Sequence, residues 1–464
     1  MRAVSLEQLA AWSGGVLVGG ASGAVGASEP VVTRVSTDSR GDLTGALFVP
    51  LVGERHDGHD FLSQAFAGGA VAALTSRPVD VSAPGPFIVV NDTLAALQQL
   101  AASYRQSLEA FTAVAVTGSN GKTSTKDFLA AVLGQKFRVQ ATRGNLNNHI
   151  GVPLTLLGVE PEHTAGVFEM GMNHFGEIAP LAAMVRPEVG VITNIGTAHI
   201  EFLGSREGIA EEKGRLVEAV ASDGVVVLNA DDDMTPGLVA RASAPVVTAG
   251  LTGGEVRAER VEGAAFDLVV PGQARVRVHL PVPGRHMIGN ALLAAAVGWK
   301  LGVSSEEIKA GLESAVLQGG RLQFREAGGL RFLDDSYNAN PDSMAAALGT
   351  LREQSVEGKR LAVLGRMGEL GPHAGAGHRA VGIAAAEAAV DFLLTVGDND
   401  EARLIYEAFG DATRSQSCAT PAEAAAWLRT HAAATDLILL KGSRSASMEK
   451  VIEALVSSSS HSTC

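Results

Sequence analysis

Cysteine is scarce in this sequence, with Cys418 and Cys464 the only two among 464 residues. Two cysteines cannot build a disulfide framework, and they cannot supply a cysteine-based zinc site. Aromatic residues make up only 5% of the chain, although 46% of its residues are hydrophobic. Glycine is plentiful, and alanine-rich segments alternate with valine and leucine runs, which favours an α/β architecture over an all-β or fibrous one.

Long hydrophobic runs and an excess of positive charge are also missing. No apolar stretch approaches the length of a membrane span. The opening residues MRAVSLEQLAAWSGG lack the charged and apolar regions of a signal peptide. Because 50 Asp and Glu residues outnumber 37 Lys and Arg residues, the net charge is −13 and the surface does not favour nucleic acid or anionic membranes. We expect a cytoplasmic protein that is a monomer.

A strand, loop and helix carry the strongest chemical signal. Val114 and Val116 belong to an apolar run, which gives way to the loop TGSNGKT at residues 117–123 and then to a helical pattern. The glycines of such a loop turn backbone N–H groups inward, and the following helix adds its positive end. The segment therefore predicts a polyphosphate site, where Lys122 would reach the β- and γ-phosphates and Thr123 would ligate Mg²⁺.

The loop departs from the usual phosphate-loop spacing at one position. A glycine is usual at residue 116, where this chain has Val116, so the loop is the shorter form TGxxGKT. The alternative is a chance glycine turn, but the agreement of strand, loop and helix weighs against it. The ATP-binding residues predicted from this loop are Thr117, Gly118, Asn120, Gly121, Lys122, Thr123 and Ser124.

Three units follow one another along the chain. In the N-terminal unit, residues 1–90, short strands alternate with Asp-, Gly- and Pro-rich turns, which indicates a small mixed α/β domain. The central unit, residues 91–318, contains the phosphate loop and alternates strands with helices, as in a mostly parallel sheet. The C-terminal unit, residues 319–464, reads as a doubly wound, Rossmann-like α/β domain. Its serine-rich tail, from about residue 457, is expected to be disordered.

Two polar residues of the central unit follow buried strands. Glu169 ends the strand predicted at 166–169, where nucleotide-hydrolysing folds place an acid that holds Mg²⁺. His199 comes shortly after the strand predicted at 189–194. A lone histidine is more often a packed or solvent-exposed residue than a ligand. Its position at the carboxyl end of a strand beside a phosphate site favours a functional role.

Polar loops also follow strands in the other two units. In the C-terminal unit these loops are at 334–341, 365–371 and 441–445, and together they predict a cleft that faces the nucleotide domain. In the N-terminal unit, the hydroxyls and the arginine of residues 36–40 could hold a phosphate or a sugar. Such a loop, taken alone, is more often an ordinary solvated turn.

Beyond the phosphate loop, four stretches resemble the Mur ligases, the ATP-dependent enzymes that build the peptide of bacterial cell-wall precursors. The stretches are GNLNNHIGVPLTLL (144–157), FEMGMNHFGEI (168–178), DDSYNANPDSM (334–344) and LLKGSRSASME (439–449). The resemblance covers nearly the whole chain. It implies a UDP-sugar-binding domain, a central ATPase domain and a carboxy-terminal ligase domain that closes over the ATP, in agreement with the three units.

The resemblance implies a ligase that joins D-alanyl-D-alanine to UDP-N-acetylmuramoyl-tripeptide. ATP would phosphorylate the free carboxylate of the tripeptide, and the amine of the dipeptide would then attack the acyl phosphate. Cations must neutralise the nucleotide because a carboxylate is repelled by its phosphates. The third residue of the tripeptide, diaminopimelate or lysine, stays open.

The resemblance also assigns the catalytic and metal-binding residues. It implies catalytic roles for Lys122, Lys213 and His199, and two Mg²⁺ ions held by Thr123, Glu169, His199 and a carbamylated Lys213. From the residues alone, Lys213 would be an exposed helical lysine. Its neighbours Glu211 and Glu212 could instead supply the anion that a carbamate would provide.

The remaining assignments concern the nucleotide and the two substrates. The resemblance places Asn290 on adenine, Arg321 on the γ-phosphate, Asp335 on the ribose and Asn338 beside the nucleotide. Near the reacting end of the UDP-tripeptide it places Asn145, Asn147 and Asn148. For the UDP pocket it suggests Ser36, Thr37, Ser39 and Arg40. For the dipeptide or for contacts of the closed domains it suggests Lys441, Ser443 and Arg444.

Two other functions are compatible with parts of the sequence. One is the same chemistry on another substrate, either a different cell-wall step or folate polyglutamylation. The asparagine-rich GNLNNHIG segment and the UDP-type first unit weigh against folate. The other is an ATP-binding regulatory module without ligation, which would not need three polar loops on the C-terminal unit.

Overall fold

The structure, a computed structural model, describes residues 1–19, 31–79 and 85–457. Within these ranges the strands form three main sheets that follow one another along the chain, with helices packed on them. The predicted mixed α/β class is confirmed. None of the helices in the described ranges is both long enough and apolar enough to span a membrane.

The first sheet is built from short strands. The strands of this region are β1 (Val4–Ser5), β2 (Val16–Val18), β3 (Val31–Val32), β4 (Arg34–Ser36), β5 (Ala46–Phe48), β6 (Ala72–Thr75) and β7 (Phe87–Val89), and the helices are α1 (Leu6–Ser13), α2 (Leu62–Ala67) and α3 (Thr93–Gln106). The sheet order is β2-β7-β6-β5-β4, antiparallel between β2 and β7 and parallel between the other neighbours.

One predicted strand of this region is two strands in the structure. The apolar run at 31–35 predicted a single strand, but β3 pairs antiparallel with β1, whereas β4 pairs parallel with β5. Between them, the backbone N–H of Thr33 donates to the carbonyl of Gly45 (2.9 Å). The chain passes from one set of strand partners to another at this point, which an apolar pattern cannot reveal.

The second sheet forms the centre of the molecule. Its strands are β8 (Thr112–Thr117), β9 (Val139–Ala141), β10 (Ala165–Glu169), β11 (Val189–Ile192), β12 (Val225–Asn229), β13 (Val246–Gly250), β14 (Val256–Glu262), β15 (Ala265–Val269) and β16 (Val276–His279). They follow the order β16-β15-β14-β13-β12-β11-β8-β10-β9. The strands from β8 to β13 pair parallel. Apolar and polar residues alternate over residues 256–280, which predicts an antiparallel excursion. It is present, since β14 pairs antiparallel with β15 and β15 with β16, although β14 also joins β13 in parallel.

Helices cover both faces of the central sheet. They are α4 (Lys122–Leu133), α5 (Gly151–Leu157), α6 (Ile178–Val185), α7 (Ile200–Leu203), α8 (Arg206–Ala219), α9 (Thr235–Val239), α10 (Arg285–Lys300) and α11 (Ser305–Glu313). Phe128, Leu129 and Val132 share one face of α4 because of their helical spacing, and all three are buried. This helix packs against α10 and α11, so the start of α4 is held at a fixed place above β8.

The third sheet belongs to the C-terminal unit. Its strands are β17 (Gln323–Ala327), β18 (Leu330–Asp335), β19 (Arg360–Gly365), β20 (Phe392–Val396), β21 (Ser415–Cys418) and β22 (Leu437–Lys441), and its helices are α12 (Pro341–Glu353), α13 (Ala374–Glu387), α14 (Asp400–Phe409), α15 (Pro421–His431) and α16 (Glu449–Ser457). The order is β17-β18-β22-β19-β20-β21, antiparallel only at β17 within the described strands. Ser457, where disorder was expected to begin, ends α16, and the rest of the predicted tail lies outside the described residues.

Candidate active site

A single cleft lies where the central and C-terminal sheets meet. Its volume is about 1170 Å³. The carboxyl ends of β10, β12, β18 and β22 contribute residues to its wall, as does the loop after β8. The predicted site residues that line it are Asn120, Gly121, Lys122, Thr123, Ser124, Asn145, Asn147, Asn148, Glu169, His199, Asn290, Arg321, Asp335, Asn338, Lys441, Ser443 and Arg444.

Two glycines fix the shape of the phosphate loop. Gly118 has a φ of +151°, and a Cβ at this position would clash with the hydroxyl of Thr193 on the neighbouring strand end. Gly121 has a φ of +80° and lies directly before α4, and a Cβ there would clash with the side-chain amide of Asn290. A side chain is therefore excluded at both Gly118 and Gly121. The first N–H groups of α4 are left facing the cleft.

Contacts from distant parts of the chain hold the same loop. The backbone N–H of Asn120 donates to Asn194 Oδ1 (2.9 Å), and the backbone N–H of Gly196 donates to the hydroxyl of Ser119 (2.9 Å). Below the loop, the buried Thr117 hydroxyl donates to the carbonyl of Met170 (2.8 Å), so Thr117 supports the loop rather than lining the cleft. No role was predicted for Asn194 from the sequence, although its position at the end of the strand predicted at 189–194 was the signal.

A hydroxyl and a carboxylate meet at the start of α4. The Thr123 hydroxyl donates to Glu169 Oε2 (2.9 Å), and Asn147 Nδ2 donates to Glu169 Oε1 (2.8 Å). In the residues that the structure describes, no three His, Cys, Asp or Glu side chains are grouped as an all-protein metal site. Mg²⁺ is usually held by one or two carboxylates together with substrate phosphates, so this hydroxyl and carboxylate fit such an ion.

Two cations face the place where phosphates would lie. The ammonium of Lys122 donates to the carbonyl of Gly118 (2.8 Å), and burial lowers the pKa of Lys122 from its usual value while Glu169 raises it. Arg321, which comes from the C-terminal unit, donates through Nη2 to the Thr123 hydroxyl (2.9 Å). Its Nε is buried and has no hydrogen-bond partner in the described part of the chain. A buried donor without an acceptor fits an anionic ligand.

His199 connects the central unit with the C-terminal unit. Its Nδ1 lies 2.6 Å from a carboxylate oxygen of Glu369, in the predicted polar loop 365–371. Both residues have positive φ angles, +63° and +59°, which are uncommon for residues with a side chain. The nearby imidazole lowers the pKa of Glu369. Within this loop, no role was predicted for Glu369 from the sequence.

Lys213 is buried, so the expectation from residue type alone was wrong. It lies on α8 with 1% of its surface exposed, outside the lining of the cleft. Burial and the positive charge of Lys122 lower the pKa of Lys213 well below its usual value, and Glu212 opposes them. Glu212 already accepts the backbone N–H groups of Gly176 (2.9 Å) and Ile178 (2.8 Å).

The other neighbour of Lys213 faces solvent. Glu211 is exposed and pairs with Arg215 at 3.1 Å, one turn along the same helix. Since the oxygens of Glu212 are also engaged, neither glutamate is a good source of a metal-binding anion in the cleft. The alternative that the sequence left open at this position is therefore disfavoured by the geometry.

The nucleotide candidates of the C-terminal unit are linked by an ion pair. Lys441 Nζ lies 2.5 Å from Asp335 Oδ2 and donates to the backbone carbonyl of Asn338 (2.9 Å). His286 lines the cleft nearby, and burial lowers its pKa to about 4. Asn290 is 5% exposed and lies against the phosphate loop, not on a helix surface as its residue type alone would suggest.

Two further contacts join the units beside the cleft. Asn340 Nδ2 donates to Asn120 Oδ1 of the phosphate loop (2.7 Å). Asp342 accepts the backbone N–H (2.7 Å) and the hydroxyl (2.8 Å) of Thr197, which precedes His199. Asn340 and Asp342 both belong to the DDSYNANPDSM stretch, but no role was predicted for either from the sequence. The motif was the signal, while the partner across the cleft could not be read from it.

The N-terminal candidates lie away from the cleft. The Ser36 hydroxyl donates to the carbonyl of Asp38 (3.0 Å), and Arg40, whose side chain is 83% exposed, pairs with Asp38 at 2.8 Å. This pairing lowers the pKa of Asp38 to about 2. Like them, Thr37 and Ser39 are absent from the described lining of the cleft. The strand β4, which ends in Ser36, contacts α5, which begins shortly after Asn148.

Three family models match the chain. The description "Mur ligase family, catalytic domain" matches residues 31–105, "Mur ligase middle domain" matches residues 116–298, and "Mur ligase, glutamate ligase domain" matches residues 320–444. These matches run through the sheet that carries the phosphate loop and through the sheet that carries the facing polar loops.

Named relatives cover almost the full length. The UDP-N-acetylmuramoyl-tripeptide–D-alanyl-D-alanine ligase of Escherichia coli (strain K12) is 40% identical over 98% of this chain and 99% of its own. A crystal structure of MurF from Acinetobacter baumannii has a TM-score of 0.88 at 36% identity and covers 98% of this chain and 99% of its own. MurF ligase from Thermotoga maritima, solved in complex with ADP, has a TM-score of 0.81 at 28% identity and covers 91% and 96%. Fold, cleft and relatives agree, and the chain belongs to the Mur ligase family.

Proposed function

We propose that this protein joins D-alanyl-D-alanine to UDP-N-acetylmuramoyl-tripeptide at the expense of ATP, giving the pentapeptide precursor of peptidoglycan, ADP and phosphate. One observation carries the proposal: a single cleft holds the phosphate loop of one sheet and the polar loops of the facing sheet. The phosphate loop can hold the phosphates of a nucleotide, and the polar loops can contact the rest of the nucleotide and the incoming dipeptide. The relatives that are similar over nearly the whole chain have names that state this reaction.

The phosphates are held by groups from both units. The N–H groups at the start of α4 and the ammonium of Lys122 come from the central unit, and the guanidinium of Arg321 comes from the C-terminal unit. Together they neutralise the charge that would repel an approaching carboxylate. Thr123 and Glu169 would hold Mg²⁺, which supplies further neutralisation of the phosphate oxygens.

The reaction proceeds in two displacements. A carboxylate oxygen of the tripeptide attacks the γ-phosphorus, and ADP leaves. The amine of the dipeptide attacks the carbonyl carbon of the resulting acyl phosphate, and phosphate leaves with the oxygen that came from the carboxylate. Asn145 and Asn148 line the same cleft as Glu169 and flank Asn147, which donates to Glu169, so they can contact the reacting end of the tripeptide.

Lys213 serves best as a carbamate. A lysine in a dry site is uncharged more often than an exposed one, and only the uncharged amine adds to carbon dioxide. The adduct is an anion, which the positive charge of Lys122 would favour, and it would supply oxygen ligands for a second Mg²⁺. His199, held against Glu369, is the other candidate ligand on that side.

We also propose domain boundaries, a location in the cell and a binding region for the UDP end of the substrate. We divide the chain into a UDP-sugar domain at 1–90, an ATP domain at 91–318 and a ligase domain at 319–464, a division supported by the three sheets. We place the monomeric protein in the cytoplasm, where ATP and UDP-linked precursors are made. Ser36, Thr37, Ser39 and Arg40 would contact the UDP end of the substrate, away from the reacting carboxylate.

The proposal is tested by measuring phosphate release from ATP in the presence of UDP-N-acetylmuramoyl-tripeptide. Release that depends on D-alanyl-D-alanine, and not on single amino acids, is the expected result. Release with a single amino acid would assign the protein to another ligation step. Release that needs no amine would indicate the ATP-hydrolysing module that the sequence left as an alternative.

A further inference from the structure

A buried ion pair lies on α4, just beyond the phosphate loop, and has no part in the proposed chemistry. Lys126 Nζ is 2.5 Å from Asp127 Oδ1, and the two side chains are only 4% and 9% exposed. Taking two charges out of water is costly, and apolar residues of similar size often replace such a pair without loss of stability. The pair therefore calls for an explanation other than stability.

The second oxygen of Asp127 holds the connection between two units. Asp127 Oδ2 accepts the backbone N–H of Gln318 at 3.0 Å. Gln318 lies between α11 and β17, in the segment that leads from the central sheet to the C-terminal sheet. The helix that starts at the phosphate loop is thus fastened directly to the segment that carries Arg321, three residues further on.

Arg321 is held on the other sides as well. Its guanidinium carbon lies 4.3 Å from the centre of the Tyr337 ring, and its Nη2 reaches Thr123. The residue that follows, Leu322, is buried with a φ of +52°, a left-handed conformation that a leucine rarely adopts. The short segment therefore bends sharply, and the anchor at Gln318 sets where the bend begins.

Lys126 links the ion pair to the strand end that carries Glu169, the proposed Mg²⁺ ligand. Its Nζ donates to the backbone carbonyl of Thr142 (3.1 Å), and the Thr142 hydroxyl accepts the backbone N–H of Glu169 (3.0 Å). The ion pair thus lies between the segment that carries Arg321 and the strand end that carries Glu169. Both of these side chains meet at Thr123.

We propose that Asp127 is a positioning residue for the reaction, which holds the connection at Gln318 and thereby places Arg321 against the phosphate site. The inference rests on the proposed function, because it takes Arg321 as a phosphate-binding residue. Asp127 itself touches no phosphate and no substrate. It acts through the backbone of the connection, and the ion pair with Lys126 holds its carboxylate in place.

The test is a double-mutant cycle with Asp127→Ala and Arg321→Ala, followed by dipeptide-dependent phosphate release. Misplacing a catalytic group by about 1 Å costs on the order of 100-fold in rate, so we expect Asp127→Ala to lower kcat by about 10- to 100-fold. The KM for ATP should change by less than about threefold, since the phosphate loop is intact. The double variant should be no slower than Arg321→Ala alone, because Asp127 has nothing left to position.

Asp127→Asn guards against a folding defect. The asparagine keeps the shape and can still accept the N–H of Gln318, but it loses the ion pair with Lys126. Asp127→Asn should lower kcat less than Asp127→Ala does. Combined with Arg321→Ala, it should add no further loss. Glu188→Ala is the matched control, since Glu188 also pairs with a buried cation, Arg105 (2.6 Å), and accepts a backbone N–H, that of Ala113 (2.7 Å), at the end of β8 away from the phosphate loop. Its kcat should stay normal.

Three results would overturn the inference, and they differ in meaning. If Arg321→Ala is impaired and the double variant falls to the product of the two single losses, Asp127 does not act through Arg321, while the proposed function stands. If Arg321→Ala turns over normally, the assignment of the γ-phosphate arginine fails and the inference fails with it. Normal kcat in both Asp127 variants would overturn the inference alone.

Discussion

The phosphate loop at residues 117–123 and the polar loop at residues 36–40 follow parallel strands in the same way, yet their surroundings differ. The phosphate loop is fixed by residues far along the chain, among them Thr193, Asn194 and Asn340. The loop at 36–40 is held mainly by its own residues, with Ser36, Asp38 and Arg40 bonded to one another. Long-range contacts make the first loop a rigid cradle, whereas local turns leave the second near solvent.

The difference shows what each kind of site requires. A site built from backbone N–H groups works only if the backbone is fixed before the ligand arrives, because the groups themselves cannot rearrange. A site built from exposed side chains can order itself on binding, at an entropic cost. The first kind of site leaves a recognisable motif and a dense set of contacts, and the second leaves neither.

Removal of the phosphate lysine should have the largest effect. In Lys122→Ala the phosphates lose a cation that is fixed by the loop, and dipeptide-dependent phosphate release should fall by about 1000-fold. The melting temperature should stay close to that of the parent. Lys136→Ala, which changes an exposed lysine beyond the same helix, serves as the control. Near-normal turnover of Lys122→Ala would show that the loop at 117–123 is not the phosphate site, and its contrast with the loop at 36–40 would then have no functional meaning.

Removal of the buried lysine on α8 should have the next largest effect. Lys213→Ala should lower the rate by about 10- to 100-fold, the range found when the surroundings of a metal site are changed. If Lys213 acts as the proposed carbamate, short carboxylic acids such as acetate should restore part of the activity by filling the space left by its carboxylate. Lys309→Ala on α11 controls for the loss of a helical lysine. A fully active Lys213→Ala variant would show that no carbamate is needed.

Removal of the exposed arginine in the N-terminal loop should have the smallest effect. The ion pair of Arg40 with Asp38 is exposed, and such pairs contribute no more than about 1 kcal/mol. Arg40→Ala should therefore raise the KM for the UDP-linked substrate by at most about fivefold and leave kcat unchanged. The KM of Asp38→Ala should also stay close to that of the parent. If Arg40→Ala raised this KM by more than about tenfold and Asp38→Ala did not, Arg40 would be a major binding residue for the UDP-linked substrate, contrary to this prediction.

Helices and central strands could be predicted from the sequence better than the edge strands of the sheets. The sequence predicts helices at 93–106 and 341–353 and a strand at 392–396. The bounds of α3, α12 and β20 agree with these ranges because caps, prolines and apolar spacing mark them clearly. The strands β17 and β21 were missed because they lie at the edges of a sheet and carry polar residues. An edge strand buries less surface, so its pattern is weaker.

The candidate site was predictable only where the signal lies within one motif. The phosphate loop and Glu169 could be read from a strand followed by a characteristic residue. The burial of Lys213 could not, because nothing near it in sequence shows that β8 and Lys122 lie above it. Contacts between the units, such as His199 with Glu369, depend on how two sheets face each other, which no single segment encodes.

The central claim is that this cleft transfers a phosphate to a carboxylate before it forms the amide bond. The most direct test is to supply UDP-N-acetylmuramoyl-tripeptide with ¹⁸O in its reacting carboxylate, together with ATP and D-alanyl-D-alanine, and to analyse the released phosphate by mass spectrometry. If the carboxylate attacks the γ-phosphorus, each phosphate released carries one labelled oxygen from the carboxylate. Unlabelled phosphate, released at the rate of product formation, would contradict the central claim.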